Sequence, residues 1–194
     1  MKKHKGSIIG VAVGLLLTCS FGAANADHPN AGHTLHLKGQ FAGTFLGTRI
    51  DLIADGSPAS WSTAEVSDNT LGKRTSQGVS ETVQTVPPGS NSECPGGVFI
   101  VDAQHGYGTN TSTFPNGDQI FSQLLTRTTC GLGGGIYTSS DTTTIVYGTG
   151  KFEGASGTGE LHYTSFYQVF DPNAAPPQGF GSFMGEFTGT LILP

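Results

Sequence analysis

Charge is what this chain has least of: Asp, Glu, Lys and Arg make up only 12% of its 194 residues. It has one Trp, two Met and three Cys. No apolar run reaches the roughly eighteen residues that a membrane-spanning helix needs, and no segment keeps a helical apolar stripe long enough for a major helix. These shortages argue against a helical bundle and a helical membrane protein. Basic residues are scarcer than acidic ones, nine against fourteen, which speaks against nucleic acid or an anionic lipid surface as a partner.

Nucleotide and hydrolase signatures are missing too. Gly150-Lys151 is followed by Phe152, and position 145 is Ile where a Walker loop would have Gly. Gly148 and Gly150 are followed by Glu153 where a dinucleotide loop would have its third Gly. No Ser lies in a strand-elbow-helix setting, and no paired Asp/Glu motif points to glycoside hydrolysis. His28, His33, His36, His105 and His162 form no zinc pattern and read as solvated. Asp51 with Asp55-Gly56 has too few oxygen donors for a calcium loop and reads as a turn. No cofactor or metal is expected.

What the chain has instead is 30 Gly and 12 Phe, with many Ser and Thr. Low charge with this mixture favours sheet over helix. Residues 1–26 stand apart: the basic MKKHKGS, the apolar IIGVAVGLLLT and the small ANA before Asp27 have the order of a secretory signal peptide. The alternative is a lipoprotein box, LLTC at 16–19, with Cys19 acylated; the bulky Thr18 counts against it. Cleavage near Ala26 predicts a secreted or periplasmic protein, and the alternative predicts a lipoprotein anchored at Cys19. Cutting after Ala26 leaves six Lys and Arg against fourteen Asp and Glu, a formal charge of −8. It also leaves an even pair, Cys94 and Cys130, which an oxidising compartment would join. Two buried free thiols are the alternative.

After a flexible lead-in at 27–34, residues 35–194 read as one β domain. LHLKGQFAGTF (35–45) alternates Leu, Gly and Phe against polar residues, as does 183–193 near the end. Between them lie strand candidates at 49–54, 77–86, 97–104, 118–128, 142–148 and 159–170. FPNGD (114–118) has a hairpin dipeptide at Asn116-Gly117, and longer loops are expected at 87–97, 130–135 and 171–182. Residues 61–76 are ambiguous between a further strand and a short helix over a barrel mouth. Eight candidates, with matching end strands to pair across a seam, predict an all-β, closed antiparallel eight-stranded barrel. Gly within a strand permits the sharp bend that closure needs and leaves a hole that a neighbouring Phe can cover.

Gly-x-Phe-x-Gly occurs three times: GQFAG at 39–43, GKFEG at 150–154 and GEFTG at 185–189. The stretch IVYGTGKFEGASGTGELHY (145–163), the terminal FGSFMGEFTGTLILP, and FPNGDQIFSQ and DGSPASW resemble the allene oxide cyclase and dirigent-like barrel superfamily, in particular its uncharacterised secreted bacterial members. The resemblance implies a barrel over 35–194. Members include cyclases of oxidised fatty acids and proteins that steer phenolic coupling. No catalytic residue of theirs matches a position here.

A barrel of this size encloses side chains or one small ligand. By alternation, Glu81 faces the interior with Val79 and Val83, and Gln123 and Arg127 do so with Phe121 and Leu125. Tyr147, Tyr163 and Tyr167 share faces with Ile145, Leu161 and Val169. These six residues are the candidate ligand contacts, unless a strand bulge inverts the pattern. The expected function is binding a small, largely apolar or aromatic molecule inside the barrel. A cofactor-independent cyclase or isomerase acting by substrate positioning is one alternative. A structural envelope protein with a filled barrel is the other.

Overall fold

The computed structural model describes residues 32–48, 50–54, 59–171 and 178–194. The expected leader and most of the lead-in lie outside these residues. In chain order the strands are β1 (His33–Gly47), β2 (Ser60–Asp68), β3 (Gly72–Glu81), β4 (Val83–Val86), β5 (Val98–Val101), β6 (Tyr107–Thr113), β7 (Gln119–Gly133), β8 (Ile136–Gly148), β9 (Ser156–Asp171) and β10 (Gln178–Leu193). A single 3₁₀ turn, Gly150–Phe152, separates β8 from β9. β1 thus opens two residues before the expected start at Leu35.

Eight strands close a ring in the order β7-β6-β3-β2-β1-β10-β9-β8, and β8 returns to β7. All pairings are antiparallel. β1 and β10 pair from His33 opposite Leu193 to Leu46 opposite Phe180. The two ends of the chain therefore meet across one seam, as their matched alternation predicts. β4 and β5 extend one wall beyond the ring, with β5 taking the edge of β7 that β6 leaves free.

The seam shows why glycine and phenylalanine alternate. Gly39 lies opposite Phe187, Gly43 opposite Phe183, and Gly185 opposite Phe41. A Cβ on Gly43 would come 2.0 Å from the carbonyl oxygen of Thr63 and 2.8 Å from the Phe183 ring. Each Phe thus covers a hole in the neighbouring strand, and the bare glycine lets the strands curve inward without collision. The middle repeat behaves differently. GKFEG forms the 3₁₀ turn, and its Phe152 is wholly buried. With Phe114, Ile120, Ala155 and Leu191 it packs a plug across one end of the barrel.

Several expected elements are placed differently. Residues 50–54 are not a strand: they bend outside the barrel, tied back by Thr48 N–H to the Ala59 carbonyl and Ala59 N–H to that of Ile50. Both edges of β1 are already occupied, by β2 and β10, so this segment has no ladder to join. The ambiguous 61–76 contains β2 and β3, joined by a turn in which Asp68 Oδ1 accepts the N–H groups of Thr70 and Leu71. The 77–86 candidate spans the end of β3 and all of β4, and 97–104 shrinks to β5 outside the ring. β6 was not anticipated. Residues 130–133, expected in a loop, complete β7, and Gly134-Gly135, both at positive φ, make the turn into β8.

Candidate functional site

The barrel encloses a cavity of about 830 Å³, within the range of roughly 300–1,000 Å³ typical of small-molecule sites. The Phe152 plug lies at one end. At the other, Gln84, Pro88, Phe99, Tyr137 and Tyr167 form the rim.

Arg127 is the best-anchored polar group in the lumen. Its Nε donates to Asp141 Oδ1 at 2.9 Å and its Nη2 to Oδ2 at 2.7 Å, a two-pronged pair across the β7–β8 ladder. Nη1 donates to Ser80 Oγ at 2.8 Å. The Tyr163 ring packs 5.7 Å from the guanidinium, and its hydroxyl donates to Asp141 Oδ2 at 3.5 Å. Burial works against the Arg127 charge, but Tyr163 and Asp141 outweigh it and hold its pKa above the ordinary value. Burial pushes Tyr163 up to about 12, with Arg127 opposing and Asp141 adding to the rise. Tyr167 also rises to about 12, from burial and the neighbouring Tyr137. The cluster is therefore close to neutral at ordinary pH: one cation, one anion and protonated phenols.

A second buried pair lies toward the plug. Arg74 bonds Asp68, and its guanidinium stacks 5.5 Å from the Phe114 ring and 5.3 Å from Phe187. Burial raises the Asp68 pKa, but hydrogen bonds from Leu71, Arg74 and Thr70 together bring it below the usual carboxylate range.

Of the six expected contacts, Arg127, Tyr163 and Tyr167 line the cavity. Gln123 and Tyr147 do not; both are exposed on the outer surface. The cause is a set of bulges. β7 and β8 shift register between Leu124 and Thr126, and Val146 is skipped between the pairs Phe121–Tyr147 and Ser122–Ile145. Inward positions on β7 are accordingly Ile120, Ser122 and Leu124 before the bulge, and Arg127 and Thr129 after it. Tyr147 instead stacks on Phe121 outside, with ring centroids 4.0 Å apart. Glu81 also leaves the lumen. It is fully buried on the far side of β3, where its Oε2 accepts the Leu52 N–H at 2.5 Å. Its Oε1 has no hydrogen-bond partner among the described residues.

Sequence reasoning missed Asp141, Ser80 and Asn110. Asp141 is an even number of residues from Ile145 and would have fallen on the inward face had the strand been extended upstream of 142. Cys94 and Cys130 are bonded, with Cα atoms 5.1 Å apart. The bridge fastens the 87–97 loop to β7 beside the rim. Among the described residues, no three His, Cys, Asp or Glu side chains gather as a metal site, and no helix is long and apolar enough to cross a membrane.

No family model and no curated protein matches the chain. Solved structures do. The pterocarpan synthase dirigent protein GePTS1 is similar at 12% identity and a TM-score of 0.41, over 83% of this chain and 90% of that one. The pterocarpan synthase dirigent protein PsPTS1 is similar at 12% identity and a TM-score of 0.40, over 83% and 96%. The site described here rests on this chain's own geometry.

Proposed function

We propose that the barrel binds one small, largely apolar molecule in its lumen. The observation that carries this reading is the cavity itself: the rings of Phe41, Phe183 and Tyr163 meet edge-on or tilted at about 6 Å and still leave some 830 Å³ beside them. A filled-barrel structural protein would need that volume occupied by its own side chains. The Arg127–Asp141–Tyr163 cluster orients the occupant. It pairs its own charges internally.

The test is a fluorescence titration with N-phenyl-1-naphthylamine, comparing wild type with Ala64→Trp, which places an indole in the lumen. Saturable one-to-one binding, weakened at least tenfold by Ala64→Trp, is expected. No saturable binding to wild type would contradict the reading.

A second reading is favoured by the same cluster. A salt-bridged guanidinium and a protonated phenol inside an apolar lumen can hold a substrate in a reactive shape and stabilise developing charge. The protein would then be a cofactor-independent cyclase or isomerase. Tyr163→Phe, which keeps the ring and removes the hydroxyl, would lower turnover without lowering affinity for the probe.

The reading of residues 1–26 as a leader supports an activity outside the cytoplasm, in the periplasm or medium. Intact mass of the exported protein distinguishes an Asp27 N-terminus from a lipidated Cys19.

A further inference from the structure

The lumen has two chemically different walls. Strands β9, β10 and β1, adjacent in the ring, line it mainly with Phe41, Phe45, Phe183, Phe187, Tyr163 and Tyr167, with a few hydroxyls such as Ser165 and Thr188 between them. The strands opposite, β2, β3, β6, β7 and β8, line it with small hydroxyl and amide groups: Ser76, Asn110, Ser112, Ser122, Thr129 and Ser139 among them. Val66, Val79, Ile120, Leu124 and Ile145 interrupt this second wall and Arg74, Arg127 and Asp141 add charge to it, but its hydroxyl and amide groups outnumber the apolar ones. The division is written in the strands themselves: Gly alternates with Phe on β1 and β10, whereas β3, β6 and β8 alternate through Ser, Asn and Thr.

We infer that the occupant of this lumen is two-faced: a rigid ring system with hydrocarbon on one face and several hydroxyl or carbonyl groups on the other. The inference deepens the lumen-binding reading and rests on it. Part of the hydroxyl wall is satisfied within the protein. Ser76 Oγ donates to Asn110 Oδ1 at 2.7 Å, and Thr129 and Ser139 hydroxyls share a bond at 2.8 Å. Each hydroxyl can take part in about three hydrogen bonds, so even paired ones keep capacity toward the cavity. Covering that wall with hydrocarbon would strip water from these groups and leave the capacity unmet. Ligand hydroxyls at the same places replace the water bonds in kind. On the opposite wall the order reverses, since aromatic faces gain most from apolar contact. A wholly apolar ligand satisfies one wall, and a fully polar one the other. Only a facially divided molecule satisfies both.

The experiment compares two probes that share a skeleton and a carboxylate. Cholate carries three hydroxyls on one face of its rings; lithocholate carries one and is the more hydrophobic. Both are titrated calorimetrically into the mature, unreduced protein below their micelle-forming concentrations, alongside N-phenyl-1-naphthylamine. Cholate is expected to bind at least tenfold more tightly than lithocholate. The Ser112→Ala/Ser122→Ala double variant should weaken cholate about tenfold, corresponding to two modest hydrogen bonds, and should not weaken lithocholate. If lithocholate binds as tightly as cholate or more so, the two-faced ligand is wrong and the lumen is an ordinary apolar pocket. If neither bile acid binds while the naphthylamine does, the two-faced ligand is again wrong and the lumen reading stands. If all three fail to bind, both readings fall.

Discussion

Arg127 and Asp141 face one another from adjacent strands, each oxygen of the carboxylate accepting one guanidinium N–H, at 2.9 and 2.7 Å. Their side chains are only 17% and 4% exposed, so neither charge can turn to water if the other is removed. Arg127→Met alone should therefore destabilise the protein by about 3–5 kcal/mol, and the double variant Arg127→Met/Asp141→Leu should recover most of that loss. Urea unfolding of the three proteins measures it. A double variant no more stable than the single one would show that the pair is not an isolated charge couple.

Glu81 makes the opposite prediction about charge. Its Oε2 accepts the Leu52 N–H, which a glutamine carbonyl can accept equally well. Glu81→Gln should keep within about 1 kcal/mol of wild-type stability, whereas Glu81→Leu leaves that N–H unpaired and should cost about 1–3 kcal/mol. Equal losses from both substitutions would mean that the negative charge itself holds the 50–54 segment.

Gly43 is predicted to be intolerant of any side chain. A Cβ there would sit 2.0 Å from a backbone oxygen that cannot move without opening the β1–β2 ladder. Gly43→Val should lower stability by about 3 kcal/mol or more. At the solvated turn residue Gly117, where φ is +90° but an added Cβ meets nothing within 4 Å, substitution with Asn should cost less, since Asn tolerates positive φ best. Thermal melts of the two variants give the comparison.

Alkaline pH should attack the lumen. Tyr163 and Tyr167 rise from 10.0 to about 12 on burial. A group whose folded pKa lies above its unfolded one contributes all its stabilisation below the unfolded value, here about pH 10, and loses it as pH climbs toward the folded value, about 12. Stability should fall across that window. In an ultraviolet phenolate titration, two of the five tyrosines should ionise only near pH 12 or on unfolding, and Tyr163→Phe should remove one of them. Ionisation of all five by about pH 11 in a folded protein would contradict the buried placement.

How much of this could be read from the chain varies strand by strand, for reasons that are physical. β1 and β10 were legible because their inward faces are Phe, Leu and Gly against polar outward residues, so burial and hydrophobicity coincide. β2, β3 and β6 were not, because their inward faces carry Ser62, Ala64, Ser76, Asn110 and Ser112. The hydroxyl wall that gives the lumen its character is what erased the alternation. Arg127 was placed inward correctly, yet Gln123 on the same assumed face points out; the bulge near Leu125 reverses the phase between them. Tyr147 was misplaced by the bulge at Val146 in the same way. Glu81 failed for another reason: alternation can say that a residue faces away from a sheet's neighbour, but not that a distant segment, here 50–54, will cover it. The disulfide was legible because the expected cut after Ala26 leaves one even pair, Cys94 and Cys130.

The central claim is that the lumen is empty of protein and takes up a small, ring-shaped guest against its aromatic wall. Its most direct test is a crystal of the unreduced mature protein soaked in 1-bromonaphthalene, with the bromine located by anomalous scattering. The account predicts a bromine peak inside the barrel, with the rings against Phe41 and Phe183. A fully packed interior, or bromine found only on the outer surface, would contradict it.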